Sequence, residues 1–183
     1  MDLKPQDIVL VLKLIASNLD SWTFSELGEH LAMSASHVFE SVERAEAAHL
    51  LTTFSAPSPA VRRGRAQIPA PNRGNLKEFL IHGLKYAFPA ERGGPTRGIP
   101  TAEAAPPLKQ HFPQDFPLPP VWPYAEGSVR GIELSPLYKN VVYAALRDAK
   151  LYELLALIDA IREGRARERE IAIRELAARI DAH

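Results

Sequence analysis

Apolar positions in the first fifty residues recur at spacings of three and four, the period of one helix face. In PQDIVLVLKLIASNL (5–19), Ile8, Val11, Leu12, Ile15, Ala16 and Leu19 form a broad stripe, and Pro5 and Asp7 suit a first helical turn. Val9, Leu10 and Leu14 carry apolarity around the other faces. The pattern predicts a helix buried on two sides, and a second copy of the chain is the economical cover for the second side. Trp22-Thr23-Phe24 reads as a short extended piece. Ser25 is placed to cap a helix over 26–32, Met33 and Ser34 form a turn, and Ser34 or Ser36 caps a second helix reaching about His49. Its Val38, Val42, Ala45 and Ala48 share a face that meets Leu27 and Leu31.

Beyond this helix pair, Leu50 to Phe54 reads as a strand, and 55–71 as a hairpin with Arg62-Arg63-Gly64-Arg65 at its tip. A helix over 72–88 follows, capped by Asn72 or Asn75, with Leu76, Phe79, Leu80, Leu84 and Ala87 on one face. From Pro89 to Pro123 the rhythm stops. Ten of the chain's 16 prolines fall there, and proline removes backbone donors. The expectation is an extended arm held to a surface by Phe112, Phe116, Val121, Trp122 and Tyr124. Helical periodicity resumes after a short strand at 129–134: Ser135-Pro136 opens one helix, Asp148 or Ala149 a second that stops at Gly164, and 165–182 is a third. Three segments result: a unit over 1–88, a proline-rich arm or linker over 89–128, and a C-terminal helical region over 129–183 suited to dimerisation or partner docking.

The residues Leu27, Leu31, Met33-Ser34, Ser36, Val38, Val42, Arg44 and Leu50-Leu51 resemble the winged helix-turn-helix of bacterial transcription regulators. The likeness covers roughly residues 4 to 70. It implies a mainly α fold with a winged helix-turn-helix domain and a small β-hairpin wing, joined here to the proline-rich arm and a C-terminal helical bundle. It also implies double-stranded DNA as partner, a homodimer, and entry of the second helix into the major groove. Ser34, Ser36, His37, Phe39, Glu40 and Arg44 would then lie on the reading helix, with Arg62, Arg63 and Arg65 on the wing. Serine and histidine can donate to base edges, Phe39 can meet a thymine methyl and Glu40 can accept from a cytosine amine.

Charge changes this picture. Lys plus Arg and Asp plus Glu both total 22, so net charge exerts no global pull on a polyanion. Its distribution is uneven: residues 1–54 hold three basic and eight acidic groups, and 55–100 hold eight and two. The reading helix carries Glu40, Glu43 and Glu46 against Arg44, and carboxylates facing phosphates repel. Much of any attraction to DNA must therefore come from the arginines that follow. The same acidity supports a second expectation, a protein-docking module or antitoxin-like regulator that binds a partner protein through this helix and the arm.

Nothing in the sequence points to catalysis. The six histidines lack paired ligand spacing beside an acid, no Walker or GxSxG motif is present, and Gly93-Gly94 lacks the flanking strand and helix of a phosphate cradle. The expectation is a protein without enzymatic activity or cofactor. There is no cysteine and no apolar run of spanning length, so a cytoplasmic location without membrane contact is expected.

Overall fold

The computed structural model describes residues 2–17, 22–52, 69–113 and 117–182. The chain is mainly helical with a small three-stranded sheet. Helices α1 (Pro5–Ala16), α2 (Phe24–Leu31) and α3 (Ala35–Ala47) come first. Helix α4 (Arg73–Glu78) runs through a π turn (Phe79–Gly83) into α5 (Leu84–Ala87). Leu76, Leu80 and Leu84, the buried residues of this rod, are four apart. In a pure α-helix such residues drift by about 40° per step. The wider π turn takes up that drift and keeps the three leucines in line.

The largest departure from expectation lies between the α5 end and residue 134. The proline-rich segment forms strands β1 (Arg92–Pro100) and β2 (Pro120–Pro123), where an extended arm was expected, and β3 (Val129–Leu134) follows where a short strand was expected. β1 pairs antiparallel with both others and β2 runs parallel to β3, so the three strands close on themselves. Prolines are tolerated because pairing breaks register between Arg92 and Pro95, and Pro100, Pro120 and Pro123 stand at strand ends. Closure depends on Gly98, which pairs with Pro123 on one side and Val129 on the other. A Cβ there would sit 1.9 Å from the Trp122 carbonyl oxygen, so no other residue permits the approach. Trp122 itself is fully buried.

Helices α6 (Val141–Arg147), α7 (Ala149–Glu163) and α8 (Ala166–Asp181) complete the chain. α6 starts later than expected. Ser135 does not cap it: its hydroxyl accepts from the Glu91 amide at 2.8 Å and ties β3 to the entry of β1. Asp148 does cap α7, accepting from the Leu151 amide at 3.1 Å, and also holds Lys13 of α1 at 2.7 Å. On α8, Arg179 meets Glu175 and reaches Glu153 of α7 as well.

α7 is the hub. Its Leu151 and every residue from Leu154 to Ile161 are buried, because α1, α6, α8 and the sheet end pack on different sides of it. α1 is therefore apolar on two sides for a reason internal to the chain: α3 covers one face and α7 another. The breadth of that stripe calls for no second copy. One continuous core joins residues from all three expected segments, from Ile8 to Ile180.

Candidate nucleic-acid interface

The α2–turn–α3 unit is set by local chemistry. α2 begins at Phe24, two residues ahead of expectation, because Thr23 and not Ser25 caps it. The Thr23 hydroxyl accepts from the Glu26 amide at 3.0 Å, and the Thr23 amide donates to the Glu26 carboxylate at 2.8 Å. Phe24 is thus helical and Trp22-Thr23-Phe24 is no strand. Ala32 takes a left-handed conformation (φ 52°), and the Met33 amide bonds back to the Gly28 carbonyl at 2.9 Å. The turn folds so tightly that a Cβ on Gly28 would lie 2.5 Å from the Met33 carbonyl oxygen. Gly28→Ala should accordingly cost about 1–3 kcal/mol and lower the melting temperature by several degrees; an unchanged midpoint in a thermal scan would overturn this account of the turn.

Ser34 caps α3, its hydroxyl accepting from the His37 amide at 3.3 Å and lying 3.0 Å from the Ser36 hydroxyl. Ser34, Ser36 and His37 are exposed. Phe39 is 47 % exposed and meets Phe24 edge to face at 5.6 Å between centroids, so it is no core residue. Glu40 is exposed with one oxygen 3.7 Å from Arg44, and Glu43 is exposed beyond it. At the C-terminal end, His49 adopts φ 58°, the left-handed position that glycine usually fills.

Arg44 does not lie with these residues. It is 4 % exposed and points inward. Its Nε and one terminal nitrogen donate to the two oxygens of Asp7 at 2.8 and 2.7 Å, and that nitrogen also reaches the Ser41 hydroxyl at 3.0 Å. The hydrogen bond to Asp7 raises the guanidinium pKa above its ordinary value against the opposing pull of burial. Bonded through Nε and one terminal nitrogen and buried, Arg44 is a link between α3 and α1 and is withdrawn as a phosphate or base contact. Asp7 completes the link by accepting from the Lys4 amide at 2.8 Å. Such a partner, 37 residues upstream, leaves no local signal.

Past α3 the chain makes the base of a hairpin. Leu51 bridges Pro71 antiparallel, the Thr52 amide donates to the Ala70 carbonyl at 2.8 Å, and the Asn72 amide to the Leu50 carbonyl at 2.8 Å. Residues 53–68, with Arg62, Arg63 and Arg65, lie outside the described residues. On the opposite side, α6 braces the α2–α3 turn: the Asn140 amide group donates to the Ala32 carbonyl at 2.7 Å, and the Tyr143 hydroxyl to the Glu29 carbonyl at 3.4 Å. No helix among the described residues is long and apolar enough to cross a membrane. Compared with family models, with curated proteins and with solved structures, the chain finds no match.

Proposed function

We propose that the chain is a DNA-binding transcription regulator of the winged helix-turn-helix type, acting as a dimer. The observation that carries this reading is the outward first half of α3, where Ser34, Ser36, His37, Phe39 and Glu40 are exposed, followed directly by a hairpin base at Leu51 and Pro71. Between Leu51 and Pro71 the sequence carries Arg62, Arg63 and Arg65, and arginines on a wing would supply the backbone or minor-groove attraction that the acidic helix lacks. Ser36, His37 and Phe39 then discriminate bases.

Gel retardation of DNA from the region upstream of the gene tests this. Binding at low salt is expected, and replacing the three wing arginines by alanine should reduce the salt slope of log K by about three. No retardation of the unaltered protein at low salt overturns the reading. Light scattering of the free protein tests the dimer, and a monomer mass at binding concentrations would refute that part.

A second reading, a protein-docking or antitoxin-like module, is favoured by one observation. Exposed Phe39 is flanked by Glu40 and Glu43, which suits a basic partner better than a phosphate backbone. Co-purification of a partner by a protein that retards no DNA would favour it.

A further inference from the structure

The strand register places two arginines directly opposite one another. Arg97 on β1 pairs with Arg130 on β3, both are exposed, and among the described residues no carboxylate lies within ion-pair distance of either. Opposed residues on antiparallel strands have Cβ atoms about 5 Å apart, and like charges so placed destabilise a sheet. Nothing within the described chain offsets that repulsion.

Two further cations lie toward the α2–α3 turn. The Tyr124 amide bonds to the Arg97 carbonyl at 3.1 Å. The Tyr124 hydroxyl donates to Glu126 at 3.2 Å. Arg147 stacks on the Tyr143 ring at 3.6 Å from its centroid, which pre-orders the guanidinium without neutralising it. Tyr143 in turn reaches the Glu29 carbonyl, and Lys139, exposed and unpaired among the described residues, precedes the Asn140 that holds Ala32.

We propose that Arg97 and Arg130 form a contact for the phosphate backbone of duplex DNA, carried by the small sheet and not by the helix pair. Side chains that start about 5 Å apart on one face can bring both guanidinium groups to one phosphate, and such an anion would offset their mutual repulsion. This inference rests on the DNA-binding reading above. It gives that reading a source of attraction independent of Arg62, Arg63 and Arg65.

Fluorescence anisotropy of a labelled duplex of about 30 base pairs, of arbitrary sequence and titrated over a range of salt, tests the contact. Arg97→Ala/Arg130→Ala should bind about tenfold or more weakly at moderate salt, with the salt slope reduced by about two. Its melting temperature should be equal to or above that of the unaltered protein, since a repulsion is removed. Arg97→Lys/Arg130→Lys should keep most of the slope. Unchanged affinity and slope in the alanine variant, with the unaltered protein binding normally, would overturn the contact and leave the DNA-binding reading standing. An unaltered protein that binds no duplex at low salt would overturn both. Tighter binding of single-stranded RNA than of duplex would overturn the assignment to duplex DNA.

Discussion

Arg44→Ala lowers the free energy of unfolding by about 3–5 kcal/mol, because it leaves the Asp7 carboxylate charged, buried and without its guanidinium partner. Urea unfolding followed by helical circular dichroism measures the loss. Arg44→Ala/Asp7→Ala removes both charges and should recover part of it, since a buried pair replaced on both sides is far less costly than one broken on one side. The distinction bears on function. Loss of DNA binding in Arg44→Ala would have to be judged against the fraction of protein still folded. An Arg44→Ala protein of unaltered stability would place the side chain in solvent and return it to the candidate interface.

A loss of similar size is expected for Asp159→Ala. Asp159 is 1 % exposed on the sheet-facing side of α7. One oxygen accepts from the Thr101 hydroxyl at 2.8 Å and from the Trp122 indole at 2.6 Å, and the other from Arg162 at 2.7 Å. Burial pushes its carboxyl up from the ordinary range, while Arg162, Thr101 and Trp122 pull against that. Arg162 spends its other donors on the carbonyls of Phe88, Pro89 and Ser135, where the chain enters and leaves the sheet. Alanine at 159 therefore leaves the Arg162 charge without its carboxylate and the Trp122 indole N–H without an acceptor, for about 3–5 kcal/mol. Thr101→Val, which removes one hydroxyl, should cost only about 1 kcal/mol. Chemical denaturation with Trp fluorescence reads both. An Asp159→Ala midpoint equal to that of Thr101→Val would show that the carboxylate is not the junction described.

These two buried clusters mark where reading from sequence reaches its end. The helices were legible because their periodicity is local, and Ser34, Asn72 and Asp148 cap as their hydroxyl, amide and carboxylate chemistry predicts. Gly164 ends α7 as expected. Of the sheet, only β3 was legible, as the short strand over 129–134; β1 and β2 were not. Gly98 and Pro95 read as loop residues, and only the approach of Trp122 and the broken register at Arg92 make them strand residues. Pairing between residues thirty apart has no period to detect. Of the candidate site, the exposure of Ser36, His37 and Phe39 agrees with a face left over once Val38, Val42 and Ala45 are buried. Arg44 was misplaced because its environment is decided by Asp7. The all-round apolarity of α1 was assigned to a second copy because α7, which covers it, lies more than 130 residues later.

That last separation governs the order in which the chain acquires its structure during synthesis. Residues emerge at roughly 5–20 per second, so Ile8 to Leu12 wait several seconds or longer before Leu151 to Ile161 exist to cover them. The Lys13–Asp148 link closes over the same gap. During that interval α1, α2 and α3 can pair with one another, but one greasy side of α1 faces the milieu. A nascent chain stalled near residue 130 should therefore be a preferred client of hydrophobic-binding chaperones, and release of residue 163 should end that dependence.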